Sequence, residues 1–281
     1  HDYDAASNYL IIKEVASFDF TNLFHHLSPS FYFLHVPVYL VFENFLSIEY
    51  FNALLNLLSF YALMFFFGKE LGLGRYWQLL FILFGASSTF MIYSSRCISI
   101  SNLSLLLFII FLGLYYKSFK QKRFWTWAML FFTFTFTVNY KVLLFIPILI
   151  FIELIQTNRK LLLKHWLLLP ALLGLGVFFY SVLGYFLNSD LVLNYLGRIY
   201  SMFFGMATSS ISSLEGIDGL YYLKYLLYYE NTLLLPCLAW FVYNFPWRKL
   251  RQGKLKITVL NFIFLVSIPY LVVAVFLPRA P

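Results

Sequence analysis

Long apolar stretches separated by short basic loops constrain the fold of this chain more than any other feature of its sequence. A helix that crosses the hydrocarbon core of a bilayer needs about 20 consecutive apolar residues. Eight stretches approach that length, and they cover residues 50–67, 76–94, 101–117, 124–140, 142–156, 166–186, 226–245 and 256–277. Backbone polar groups inside lipid must be paired within the protein, which favours helices. The sequence therefore predicts an all-α fold, a polytopic bundle of about eight transmembrane helices.

The composition agrees with a membrane protein and argues against a soluble domain. Hydrophobic residues make up 62% of the chain and charged residues 11%, whereas soluble domains average about 45–50% and about 25%. The net charge of +8 comes from basic residues in the loops between the apolar stretches. Because the sequence has no basic amphipathic stretch to follow a phosphate backbone, we expect contacts with membrane lipids and none with nucleic acid.

The charged loops predict which ends of the helices face the cytoplasm. Loops rich in Lys and Arg stay on the cytoplasmic side. Three loops are strongly basic and a fourth is weaker: 117–123, 158–165, 247–256 and 68–75. All four fall on one side if the eight stretches each cross once. The opposite, outer side then carries residues 1–49, the turn 94–101, the turn near Lys141, the stretch 187–225 and Arg279.

The apolar run 29–47 is the one segment whose place in this topology stays open. It is long enough to cross the membrane, but it contains two prolines, a histidine and a glutamate. These residues favour a juxtamembrane helix along the outer interface; if the run crosses instead, the N-terminal acids face the cytoplasm. On the favoured interpretation, residues 1–49 form an outer loop and residues 1–281 form a single membrane domain.

Two carboxylates, Asp2 and Asp4, stand at the start of a chain that has few acids, directly before an amphipathic stretch. Carboxylates on the outer face can deprotonate an acceptor hydroxyl or amine, and they are suited to hold a divalent cation. A solvated, frayed terminus is the alternative. His25 and His26 follow in a rigid, aromatic-rich segment, where they are suited to bind a phosphate or a sugar hydroxyl.

Three cations are placed on the outer side, against the positive-inside trend. Arg96 lies in a short outer turn, where a cation at the membrane rim needs an anionic partner, and arginine suits bidentate contact with a lipid phosphate. Lys141 and Arg279 each stand at the outer end of an apolar stretch. These cations are our candidates for phosphate binding. The sequence has no set of ligands at the spacing of a zinc site. Its two cysteines, Cys97 and Cys237, lie in or beside apolar stretches, as small buried hydrophobic residues do.

The order of these segments resembles the C-type glycosyltransferase superfamily, and most of all the branch of protein mannosyltransferases and lipid A aminoarabinose transferases. That family has an outer loop with an acidic motif, and residues 2–6 together with Tyr9 are similar to this motif. A Pro-containing juxtamembrane segment follows in the family, and residues 25–32 are similar to it. Ser95-Arg96, the stretch 137–141 and Arg279 resemble its later motifs. Ser99, Ser101 and Asn102 stand where the family commonly carries a second acid.

The resemblance implies a transmembrane bundle with outer juxtamembrane helices that moves a sugar from a polyprenyl-phosphate donor to a lipid, protein or glycan acceptor. It implies that Asp2 or Asp4 is the catalytic base, that Arg96, Lys141 and Arg279 bind the donor phosphate, and that His25, His26 and Tyr9 bind substrate. It implies no certain cofactor. The enzyme would lie in the bacterial plasma (inner) membrane as part of the cell-envelope machinery, with its active site facing outward.

The family has a helix before the acidic motif and further helices at the end, so we expect this sequence to be a fragment that lacks both. The main alternative function is a transporter or flippase of a lipid-linked or anionic substrate, which needs polar residues deep within several spans. A polymerase or ligase of surface polysaccharides and a non-catalytic membrane scaffold are the remaining alternatives.

Overall fold

A computed structural model describes the greater part of the chain. The described residues are 3–24, 28–88, 92, 94, 98, 100–155, 163–187, 192–193, 195–197, 199–200, 239–240, 242–252, 255 and 257–276, without the side chains of 3, 4, 163, 164 and 269–276. Within these residues all regular structure is helical and there is no strand. The predicted all-α class is confirmed.

The helices follow one another in a simple order. They are α1 (Tyr3–Ala16), α2 (Pro29–Phe42), α3 (Phe45–Leu63, continued by a π-helical turn Met64–Gly68), α4 (Arg75–Ala86), α5 (Ile100–Ser118), α6 (Arg123–Val138), a 3-10 turn (Tyr140–Phe145), α7 (Ile146–Ile155), α8 (Leu163–Phe186), α9 (Trp247–Arg251) and α10 (Val259–Phe276).

These helices belong to two compact units. The first unit comprises residues 1–142 and 161–201, and the second comprises 143–160 and 202–281. In the first unit α5 packs against α3 and α6, α6 packs against α8, and α1 packs against α2. In the second unit α7 packs against α10.

Three helices are long and apolar enough to cross a membrane: Phe45–Gly68, Ile100–Ser118 and His165–Phe186. They coincide with three of the predicted spans and support a membrane protein. In the predicted stretch 76–94 the continuous helix α4 ends at Ala86, and 142–156 divides into the 3-10 turn and the 10 residues of α7. Most of 226–245 lies outside the described residues. The count of eight spans therefore stays a prediction.

Local signals explain where the helices of the first unit begin and end. The backbone of Glu43 is left-handed (φ 50°) and ends α2, and the side chain of Asn44 accepts a hydrogen bond from the amide of Ser47 to begin α3. Such N-caps satisfy an amide that the helix itself leaves unpaired. The first predicted span thus starts five residues earlier than its apolar run suggests, and α2 is a separate helix of 14 residues.

Basic loops lie together at one end of the first unit, which we call the basic end. Lys120, between α5 and α6, pairs with Glu70, which follows α3. The indole nitrogen of Trp125 donates a 3.2 Å hydrogen bond to the carbonyl of His165 at the start of α8. The loops 68–75, 117–123 and the end of 158–165 therefore meet, as their charge predicts.

The opposite end of the first unit carries the N-terminal segment, and we call it the N-terminal end. Here α1 and α2 pack against the beginnings of α3 and α5 and the last turns of α6 and α8. The core at this end is largely aliphatic and aromatic, with Phe24, Phe31, Tyr32, Tyr180 and Tyr195 among its buried members. The predicted outer loop 1–49 thus lies at the end remote from the basic loops.

Candidate functional site

A cluster of hydroxyl groups joins the first turn of α2 to the bundle. Ser28 is the N-cap residue of α2, but its side chain makes no capping bond to the helix. Its hydroxyl instead donates to the carbonyl of Thr137 at the end of α6, as does that of Tyr180 from α8. The Tyr180 oxygen lies 2.9 Å from Ser28 Oγ and 2.6 Å from Ser30 Oγ. Three helices therefore converge on one polar point within an apolar core.

Aromatic rings enclose this hydroxyl cluster. The ring of Tyr195 packs edge-on against those of Tyr180 and Tyr140, with centroids 6.1 Å and 5.9 Å away, and Phe24 contacts both Tyr180 and Tyr195. Burial raises the pKa of the Tyr195 phenol. Its hydroxyl is buried and makes no hydrogen bond of ordinary geometry among the described residues, but the nearby Ser28 hydroxyl partly offsets the rise in its pKa. Tyr195 thus joins the hydroxyl cluster from within the apolar core.

A second polar contact fixes α1 at the same end. The side-chain amide of Asn8 donates a 2.8 Å hydrogen bond to the carbonyl of Ile98, and its oxygen accepts one of 3.2 Å from the Tyr32 hydroxyl. Asn102, in the first turn of α5, pairs with both the hydroxyl and the carbonyl of Ser94. These bonds tie α1, α2 and the residues on either side of 95–97 to the beginning of α5.

Asn139 determines how the chain leaves α6. Its backbone is extended (φ −142°, ψ 102°) and ends the helix. The Asn139 side chain accepts a 3.1 Å hydrogen bond from the backbone amide of Lys141 and donates to Ser104 on α5. The Lys141 side chain is exposed. The sequence thus holds the backbone of Lys141 while it leaves the ammonium group accessible.

A histidine is buried between α2 and α3. His35 Nδ1 lies 2.8 Å from the carbonyl of Phe31, and Nε2 lies 3.4 Å from Asn52 Oδ1. Burial lowers the pKa of His35. A carbonyl only accepts, so Nδ1 carries the hydrogen and the neutral ring leaves Nε2 as an acceptor. Nε2 then needs a donor, and exchanging the oxygen and nitrogen of the Asn52 side-chain amide supplies one. The amide nitrogen has no other partner in the described part of the chain.

The predicted site residues are only partly described. Asp2, His25, His26, Arg96 and Arg279 lie outside the described residues. The backbone of Asp4 lies in the first turn of α1. Tyr9 is partly buried, and its ring packs edge-on against those of Tyr39 and Phe45, with centroids 5.8 Å and 5.1 Å away. Burial raises the pKa of the Tyr9 phenol. Lys141 is exposed at the N-terminal end.

The described neighbours of Asp2, of the pair His25-His26 and of Arg96 come together at the N-terminal end. Phe24 and Ser28 flank the pair His25-His26, and both belong to the tyrosine cluster. Ser94 and Ile98 flank Arg96, and they contact α5 and α1. Helix α1, which starts beside the acidic motif, packs against α2. The structure therefore places Ser28, Ser94, Ile98 and Lys141 at one end of the first unit, and the predicted site residues 2, 25, 26 and 96 lie outside the described residues.

No family model, characterised protein or solved structure matches this chain.

Metal binding finds no support in the part of the chain that the structure describes. No three His, Cys, Asp or Glu side chains among these residues are grouped to hold an ion. The side chains of Asp2 and Asp4 lie outside the described part of the chain, so the prediction that they hold a cation stays a prediction.

Sequence reasoning missed the two tyrosines that organise this end. Tyr180 lies in a span that is otherwise almost wholly apolar, next to Ser181. A polar pair inside an apolar helix marks an interior contact, and that signal was available. Tyr195 lies in the long stretch 187–225, where no periodic pattern distinguishes one tyrosine from another.

Proposed function

We propose that this protein is a membrane glycosyltransferase that moves a sugar from a polyprenyl-phosphate donor to an acceptor at the outer face of the membrane. One observation carries the proposal: the described neighbours of the N-terminal acidic, histidine, arginine and lysine segments lie together at the N-terminal end, remote from the basic loops. An enzyme of this kind needs a base, phosphate-binding cations and sugar-binding groups at one rim of the bundle. The sequence supplies all of these in those segments.

The proposed reaction follows from these groups. The carboxylate of Asp2 or Asp4 takes a proton from the acceptor hydroxyl or amine, whose oxygen or nitrogen then attacks the anomeric carbon of the sugar. The bond from that carbon to the phosphate oxygen breaks, and the polyprenyl phosphate leaves with the electron pair. Arg96 and Lys141, both in the first unit, stabilise the charge that develops on the phosphate. His25, His26 and Tyr9 orient the sugar.

Several described features support this assignment. Asn139 holds the backbone amide of Lys141 at the N-terminal end and leaves the Lys141 side chain exposed, where a lipid phosphate is a natural partner. The buried rings of Phe24, Tyr180 and Tyr195 pack together at this end. The Tyr180 hydroxyl contacts Ser28, so the residue that directly follows the segment 25–27 has a fixed position.

The experiment is a transfer assay with the full-length protein in liposomes and polyprenyl-phosphate donors that carry different labelled sugars. Asp2→Asn and Asp4→Asn are compared with Asp19→Asn, an exposed carboxylate of the same segment that accepts hydrogen bonds from Thr21. General-base catalysis contributes about 10²–10⁴-fold, so one of the first two variants should lose at least about a hundredfold in rate. Full transfer by the double variant would overturn the mechanism.

A transporter or flippase is the second candidate, and one observation favours it. Asn52, Asn56 and Ser59 are buried on one face of α3, within a candidate span. Buried polar residues inside a span mark substrate paths in transporters. Movement of an intact lipid-linked substrate between leaflets, with no sugar transfer to any acceptor, would favour this function over the first.

A further inference from the structure

An open groove with a cavity volume of about 100 Å³ lies in the second unit beside the short helix α9. It is lined by four apolar and two amide side chains, which are Trp240, Phe245, Leu260, Phe264, Asn244 and Asn261. The rim is open, because Trp240 is 61% and Leu260 48% exposed, whereas Phe245 is only 6% exposed and forms part of the floor. The groove is thus an apolar slot with polar groups at its side.

Stacked aromatic rings hold the floor of this groove in place. The rings of Phe245 and Phe264 lie nearly parallel with centroids 4.0 Å apart. The indole of Trp247 packs edge-on against both, and its nitrogen donates a 2.8 Å hydrogen bond to the carbonyl of Val242. Because Trp247 is also the first residue of α9, the aromatic floor and the basic helix form one local structure.

The helix α9, which adjoins the groove, carries only positive charge. Arg248, Lys249 and Arg251 follow Trp247 on α9, and all three are exposed. The sequence contains no aspartate or glutamate from residue 231 to the end of the printed chain. These cations therefore have no acidic neighbour along their own segment. An apolar slot that ends at a basic turn matches a molecule with an apolar chain and an anionic head.

We propose that this groove binds an anionic phospholipid of the cytoplasmic leaflet. A short part of one acyl chain lies along Trp240, Leu260 and Phe264, and the phosphate contacts the basic residues of α9. Anionic lipids attract basic side chains next to a membrane span. This site is separate from the proposed transferase site and does not rest on it.

The test is native mass spectrometry of the delipidated full-length protein, titrated with phosphatidylglycerol or with phosphatidylcholine of the same acyl chains. The variant Arg248→Gln/Lys249→Gln/Arg251→Gln is compared with Lys69→Gln/Lys122→Gln/Arg123→Gln, a matched triple of exposed cations in other loops. One basic residue near the surface contributes roughly fivefold in affinity. The first triple should therefore weaken phosphatidylglycerol binding on the order of a hundredfold, and the second by less than about threefold.

Two further measurements test the two halves of the site. Leu260→Trp fills the groove and should weaken binding of phosphatidylglycerol about tenfold, whereas Leu79→Trp, at an exposed position of α4, should not. Any of three results would overturn the proposal. They are equal losses of phosphatidylglycerol affinity in the two triple variants, equal affinity of the protein for the two lipids, and unchanged affinity in Leu260→Trp. Free glycerol phosphate that binds as tightly as the lipid would overturn it too, because the ligand would then be a soluble phosphate.

Discussion

The hydroxyl of Tyr180 lies 2.6 Å from that of Ser30, so that a residue of α8 holds the first turn of α2. Ser28, the N-cap residue, turns its own hydroxyl away from the helix and toward Thr137. Helix α2 is thus attached to the bundle at its N-terminus by a side chain from another helix. The same fastening positions the end of the segment that contains His25 and His26.

Removal of the Tyr180 hydroxyl should loosen this attachment. Tyr180→Phe leaves Ser28 and Ser30 without their common partner, and we expect a loss of about 1–3 kcal/mol in the free energy of unfolding. Tyr185→Phe on the same helix is the control, because Tyr185 is 83% exposed and should change stability by less than about 0.5 kcal/mol. Unfolding in mixed micelles measures both. Equal effects of the two variants would contradict this role of Tyr180.

His35 should make stability depend on pH in a defined direction. Its pKa is lowered by burial, so the folded protein keeps the ring neutral where the unfolded chain, with a pKa near 6.5, takes up a proton. Stability is therefore full above about pH 6.5 and falls as the pH drops toward the folded pKa. His35→Gln should flatten this part of the profile. An unchanged slope between pH 7 and pH 5 in the variant would assign the dependence to other groups.

Gly113 marks a close approach between α5 and the π-helical turn after α3. A Cβ atom at this position would lie 2.1 Å from Cγ of Phe66. Gly113→Ala should therefore destabilise the protein by about 1–3 kcal/mol. The control is Gly174→Ala on α8, where the added methyl meets nothing within 4 Å and helix propensity favours alanine. Similar melting temperatures for the two variants would show that α5 can move away.

The two ends of the first unit should face opposite sides of the membrane. In a background with Cys97 and Cys237 replaced by Ser, single cysteines at Glu70 and Lys120 should react with an impermeant maleimide only in inside-out vesicles, since these residues are paired at the basic end. A cysteine at Lys141 should react only in right-side-out vesicles. Reaction of positions 70 and 141 from the same side would refute the predicted topology.

Much of the fold could be predicted from hydropathy and charge. The helices around 50–67, 101–117 and 166–186 follow from apolar length alone, and the meeting of Lys120 with Glu70 follows the charge pattern of their loops. The bounds of the shorter helices were harder to predict. Asn139 ends α6 and Pro147 lies just inside α7, so that one apolar stretch becomes a 3-10 turn and a short helix. Hydropathy does not register such local backbone signals.

The candidate site was predictable only in its outline. Cations and acids are rare in this sequence, so a cation predicted on the outer side, such as Lys141, stands out as a candidate. The pair His25-His26 lies in the predicted outer loop and is a candidate for the same side. The partners of Ser28 and Asn8 could not be inferred, since Thr137, Tyr180 and Ile98 are 90 to 152 residues away along the chain. Such pairings depend on packing, which no local pattern encodes.

The most direct test of the proposed function is to locate the donor on the protein. A polyprenyl-phosphate sugar with a photoreactive group next to the phosphate is crosslinked to the full-length protein in liposomes, and the labelled peptides are identified. We predict labelling around Lys141, Arg96 and residues 1–32, reduced at least about tenfold by Lys141→Gln but not by Lys69→Gln. Labelling confined to the loops 68–75 and 117–123, or none at all, would contradict the account.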